Sequence, residues 1–165
     1  MRYLILLLLG FALGFGEVIT RSFSDERELE VRILEKIFSD ITKKKEVRVV
    51  ILGSKRDYFS KNISTYSKRL KESRSCRKAD IVFLAGVYRG KLPKGCGGKI
   101  LFSSRRKDIF LREDCVGAFF WKKGRPNILF IRERLRKKKI ELPPEYNRFI
   151  ESLGSRRPEP GGKGA

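Results

Sequence analysis

Two short apolar runs, VRVVIL at 47–52 and DIVFLA at 80–85, constrain the fold of this chain more than any other feature. Each is too short for a helix, rich in β-branched residues and almost free of polar alternation, the mark of a strand buried on both faces. Such strands belong to sheets covered by helices. Leu29, Ile33, Leu34, Ile37, Phe38 and Ile41 recur at steps of three and four, so residues 24–43 should form an amphipathic helix. Ser24 is placed to cap it, with acidic residues in its first turn. After the first run, Gly53-Ser54 ends the strand, and Ser54 with Asp57 has the spacing of a capping box. Phe59, Ile63, Tyr66 and Leu70 then mark one face of a second helix reaching about Ser73, which completes a βαβ unit.

The second half is richer in strands. Lys99 to Phe102 reads as a short strand after Pro93 and the Gly95, Gly97, Gly98 cluster. Val116 to Trp121 and Ile128 to Ile131 flank Gly124 and Pro126 as a hairpin, which makes the sheet mixed. Arg132 to Lys139 is a basic turn or short helix, and Pro143 opens a last helix carrying Tyr146, Phe149, Ile150 and Leu153. From Gly154 to Ala165 the chain is Pro/Gly-rich and should be disordered. The expectation is an α/β fold: a mixed sheet in two or three layers with flanking helices, forming one domain over residues 17–153.

The N-terminus indicates export. Arg2 precedes an apolar run from Tyr3 to Phe15, thirteen residues long, where a bilayer span needs about 20. Gly14 and Gly16 stand where a signal peptidase reads small residues, so residues 1–16 should be removed, leaving Glu17 first in a periplasmic protein. No Cys follows the run to receive a lipid.

Composition narrows the chemistry. The 165 residues contain no His, which removes His-based nucleophile systems, His-ligated zinc and imidazole proton relays. Glutamine is also absent while Lys, Arg, Glu and Ile are plentiful, a thermophile-like bias. Asp57, Asp80, Asp108 and Asp114 fall at caps, strand starts or turns, and the Ser64 to Lys68 stretch lies in a helix explained by packing. No enzyme, cofactor or metal site is expected. Three cysteines allow one disulfide and one free thiol: Cys96 with Cys115 would bracket the Lys99 to Phe102 strand, and Cys76 with Cys96 is the rival.

The charge is large, 39 Lys+Arg against 19 Asp+Glu for a net +20. In the cytoplasm this would suggest nucleic acid, with Trp121, Tyr88 or Tyr58 to stack on bases. Outside it the partners become anionic lipid head groups or an acidic protein surface. A second possibility is a module for an anionic small solute, held at the strand-to-helix turn by Gly53, Ser54, Lys55 and Arg56.

The order of parts resembles a known family. A signal peptide and a long apolar helix are followed by VRVVILGSKRDYF, then DIVFLAG, KILFSS and the closing block VGAFFWKKGRPNILFIRERLRKKKIELPPEYNRFIE. This arrangement is similar to the YfiR family, small periplasmic proteins that restrain membrane-bound diguanylate cyclases. In the closing block Gly117 fits the family's small-residue turn, Phe119 and Phe120 the first strand, Gly124 the hairpin, Phe130 the second strand and Tyr146 to Ile150 the last helix. The pattern differs where Thr42 and three lysines replace a Trp-Pro, and where Arg132 replaces an Asn. The resemblance implies an inner-membrane signalling protein as partner, most directly a diguanylate cyclase. On that reading Phe119 and Trp121 are the aromatic anchors of the interface, and Arg132, Arg134 and Arg136 its basic rim.

Overall fold

The computed structural model describes residues 26–155. The signal segment, the Ser24 cap and residues 156–165 of the tail lie outside them. The sheet has seven strands: β1 (Val47–Leu52), β2 (Leu70–Glu72), β3 (Ile81–Leu84), β4 (Ile100–Ser103), β5 (Cys115–Lys122), β6 (Arg125–Ile131) and β7 (Ile150–Glu151), in the order β2-β1-β3-β4-β5-β6-β7. The first five are parallel, β6 returns antiparallel from the hairpin, and β7 pairs parallel to β6. The helices are α1 (Glu26–Thr42), α2 (Arg56–Tyr66), α3 (Arg106–Leu111) and α4 (Arg132–Lys137). The fold is therefore the expected mixed α/β sheet with flanking helices.

Alternate strand residues enter two separate cores. Val47, Val49 and Ile51 of β1, Ile81 and Phe83 of β3 and Phe102 of β4 face α1 and α2. Val50, Val82, Leu84 and Leu101 face the other way. The helix-covered face is built on phenylalanine: Phe38 meets Phe83 and Phe102 edge-on at 5.6 and 5.4 Å, and Phe59 meets Phe83 at 4.9 Å. Edge-on pairs add about 0.5–1.5 kcal/mol each beyond the area they bury.

The opposite face has no long helix. A 3-10 turn at Cys76–Lys78, the loop around Cys96 and the six-residue α3 cover it. Cations hold these pieces by donating to backbone carbonyls. Lys99 donates to Arg77 and Ala79, Arg112 to Tyr88 and Gly90, and Lys138 to Gly98 and Lys99. Arg134 is buried and donates to the carbonyls of Ile109 and Cys115, both at 2.7 Å. Irregular loops leave carbonyls without ladder partners, and these side chains supply the missing donors.

The disulfide joins Cys76 to Cys96 across 4.8 Å between Cα atoms, which corrects the preferred Cys96–Cys115 pairing. Cys115 opens β5 in register with Leu101, buried within the sheet, and its thiol lies against the Gly117 carbonyl. Burial pushes that thiol up to about 12.

Other departures have local causes. The second helix ends at Tyr66 because the backbone turns extended at Ser67, whose hydroxyl accepts the N–H groups of Arg69 and Leu70. The chain then runs straight into β2, a strand the periodicity did not indicate. Ser54 does not cap α2; Lys55 occupies that position without a side-chain bond, and the Ser54 hydroxyl instead accepts the Val87 N–H. The last helix is a 3-10 turn, Pro144–Phe149, that delivers Ile150 into β7. Gly117 is a mid-strand residue rather than a turn: a Cβ there would stand 2.6 Å from the Leu129 carbonyl oxygen and 2.7 Å from the Phe130 ring.

Candidate functional site

In a doubly wound sheet the ligand crevice opens where the strand order reverses, here beyond the carboxyl ends of β1 and β3. That position is closed. Gly53, at φ 116°, and Gly86, at φ 73°, let the two loops interlock so closely that a Cβ on Gly53 would sit 2.3 Å from the Ala85 carbonyl oxygen. The Ser54 N–H donates to the Val87 carbonyl and the Lys55 N–H to the Ala85 carbonyl, each at 3.0 Å, while the Arg56 N–H returns to Gly53. The expected anion cradle of Gly53, Ser54, Lys55 and Arg56 is thereby corrected, since the Ser54, Lys55 and Arg56 N–H groups are already paired. The Arg56 side chain turns away to Glu72 at 3.2 Å. The Lys55 ammonium is left within electrostatic reach of Glu30.

Lys55 lines a neighbouring cleft of about 440 Å³ between the ends of β1, β4 and β5. Phe59, Phe119 and Trp121 give it an apolar lining from the helix-covered side of the sheet, and Ser104, Arg105, Arg106 and Lys107 a polar and cationic one. Ser103 ends β4 and fixes the cationic lining: its hydroxyl bonds the Asp108 carboxylate at 2.6 Å and accepts the Arg105 N–H at 3.0 Å. Buried Glu30 accepts the Trp121 Nε1–H at 3.2 Å and bonds the Tyr58 hydroxyl. Burial raises the Glu30 carboxyl above the ordinary range against those bonds, and burial beside Glu30 pushes the Tyr58 phenol up to about 12. The sequence reading missed Glu30, although helical phase identifies it: Glu30 lies four residues before Leu34, on the stripe of Ile37, Phe38 and Ile41 that α1 buries.

A second concavity, of about 350 Å³, lies on the same side of the sheet between α1, β6 and the Pro144–Phe149 turn. Leu29, Ile33, Ile128 and Phe149 line its apolar centre, and Arg32, Lys36, Glu145 and Arg148 its edge. The edge is ordered by Lys36, which bonds Asp40 at 2.9 Å and Glu145 at 3.1 Å, while Tyr146 donates to the same Asp40 carboxylate at 2.7 Å. Arg148 lies over the Phe149 ring at 4.7 Å.

The five expected partner residues do not form one surface. Phe119 is fully buried and packs edge-on against Trp121, so it belongs to the core rather than to an exposed anchor. Arg134 is an internal donor to two carbonyls, not part of a rim. Trp121 is half-buried and faces the cleft, opposite Pro126 at the hairpin tip. Arg132 and Arg136 are exposed, but on α4 at the far end of the hairpin, beyond the Gly117–Phe130 pair. Four residues of strand, about 13 Å, separate that pair from Trp121. What the structure does bring together is Trp121 with Lys55, which the sequence had assigned to two different sites.

Among the described residues no group of three or more His, Cys, Asp or Glu could hold a metal ion, and no helix is long and apolar enough to cross a membrane. A Cys76–Cys96 disulfide is a bond that persists in oxidising compartments. No family model and no curated protein matches the chain. Among solved structures, a conserved domain protein from Vibrio cholerae O1 biovar El Tor strain N16961 is similar with a TM-score of 0.48 and 7% identity. The likeness covers 78% of this chain, which spans 60% of that protein.

Proposed function

We propose that this chain is an exported, non-catalytic regulatory protein that docks onto the periplasmic part of an inner-membrane signalling protein and holds it inactive. A diguanylate cyclase is the partner class that the YfiR-like order of parts indicates. The observation that carries the reading is the groove between α1 and the Pro144–Phe149 turn, whose apolar centre is bordered by ordered charges. Protein interfaces have that anatomy, a desolvated apolar core within a polar rim. Ile33 and Phe149, both partly exposed, are the side chains on which apolar anchors of a partner would pack. The net +20 adds long-range attraction toward an anionic membrane surface and acidic partners beside it. The short apolar N-terminus and the disulfide fit passage to the periplasm.

Deleting the gene should raise cellular cyclic di-GMP, and pull-down from membranes with mature chain should recover one inner-membrane protein. Restoring wild-type chain should return cyclic di-GMP to its starting level. An Ile33→Asp chain that keeps its circular dichroism spectrum should not, because loss of a central anchor costs about 2 kcal/mol or more, roughly 30-fold in affinity. Unchanged cyclic di-GMP in the deletion, with no membrane protein recovered, would remove the proposal.

A further inference from the structure

The cleft beside Trp121 differs in chemistry from the groove. Four cations, Lys55, Arg105, Arg106 and Lys107, line a space of about 440 Å³, within the size range of small-molecule sites. Arg105 has a carboxylate nearby, its guanidinium 3.8 Å from Asp108. Lys55 lies within electrostatic reach of the Glu30 carboxyl, and Arg106 and Lys107 have no carboxylate within 4.0 Å among the described residues. Like charges gathered around one concavity repel one another, and an anion placed among them relieves that repulsion. Ser104 adds a neutral donor, because its oxygen accepts the Gly86 N–H at 2.7 Å and its own proton is left for another acceptor.

The remainder of the lining shapes the ligand. Phe59 and Phe119 give the space an apolar lining, and Trp121 is held in place by its bond to Glu30. Glu30, bonded to Trp121, repels an anion from that end, so the anionic group belongs at the Arg106 and Lys107 side and the apolar body against Phe119 and Trp121. We infer that this cleft binds a small organic anion, a phosphate or carboxylate joined to a compact apolar body. The inference is independent of docking at the groove, although Glu30 in the cleft and Leu29 in the groove are neighbours on α1.

The chain contains one tryptophan, Trp121, so its emission reports on the cleft directly. Titrations of the mature chain with phenyl phosphate, inorganic phosphate and benzyl alcohol separate head from body. Phenyl phosphate should give a saturable change at least tenfold tighter than inorganic phosphate, and benzyl alcohol should not saturate. A doubly reversed chain, Arg106→Glu with Lys107→Glu, should weaken phenyl phosphate at least tenfold with its circular dichroism unchanged. The control pair on α4, Arg132→Glu with Arg136→Glu, should leave binding within twofold. Equal weakening by both pairs would show attraction to net charge alone and overturn the inference, as would a linear response to phenyl phosphate. Phosphatidylglycerol vesicles provide the lipid arm: sedimentation that depends on Arg106 and Lys107, without saturable phenyl phosphate binding, would assign the cations to a membrane surface and likewise overturn it.

Discussion

The two faces of the sheet are held by different physics. Under α1 and α2 the core is a continuous cluster of large side chains, with Phe38, Phe59, Phe83, Phe102, Phe119 and Phe130 all but excluded from solvent. On the opposite face smaller residues such as Val50, Val82, Ala118 and Leu129 lie beneath short turns. There a disulfide and cation-to-carbonyl bonds supply the cohesion that helices give the other side. The comparison teaches that part of the positive charge in this chain is internal fastening. Lys99, Arg112, Arg134 and Lys138 donate to backbone carbonyls, whereas Arg106 and Lys107 line the cleft. Both concavities of functional interest lie beside the phenylalanine core, where long elements leave clefts between rigid walls.

The sharpest way to break this contrast is to empty each face in turn. Phe83→Ala should cost about 3–5 kcal/mol, because the ring is fully buried between Phe38, Phe59 and Phe102 and its neighbours cannot close the space. Denaturant melts should show that loss equally with and without reductant. On the other face, Cys96→Ser should cost about 3 kcal/mol through a closure of 20 residues. That effect should vanish when wild type is measured reduced, and Cys115→Ser should show no such redox dependence. Arg134→Met keeps the bulk of the stem but leaves the Ile109 and Cys115 carbonyls without their donor, so about 2 kcal/mol should be lost.

The smallest expected effect is on acid stability. Burial alone would raise Asp40, but the Tyr146 hydroxyl and the Lys36 ammonium bonded to it outweigh burial and hold its carboxyl below the usual carboxylate range. Asp80 is likewise lowered against its burial, by Lys44 and the Arg48 N–H. A depressed carboxyl stabilises the fold above its unfolded value and loses that contribution as pH falls through its folded value. Both sites are partly open to solvent, so each is worth less than about 1 kcal/mol. Glu30 has the opposite sign: raised in the fold, it favours the native state in its protonated form, and that contribution fades as pH rises through its folded value. Asp40→Asn should flatten the melting midpoint below pH 4, and Glu30→Gln should raise it near neutrality.

How much was legible depends on the size and pattern of each element. β1, β3 and the hairpin were readable because buried strands are short, apolar and bounded by turn residues, and α1 because its 17 residues carry a periodic apolar stripe. The smallest elements were not. β2 and β7 have three and two residues, too few for any period, and α3 has six. The disulfide partner depended on where Cys76 lies once β2 has formed, a tertiary fact absent from loop lengths. At the site, Trp121 and Lys55 were each recognisable by residue type, but their shared cleft follows from the strand order. Arg134 looked like one charge in a basic run; only its burial reveals its role.

Docking of a membrane partner at the groove can be read from a photo-crosslinking residue placed in living cells at Ile33, in the groove, or at Arg77, exposed on the opposite face. One inner-membrane protein should be captured from Ile33 and none from Arg77, with capture lost when Phe149 is changed to Asp in a folded chain. Capture of the same protein from both positions, or from Arg77 alone, would contradict it.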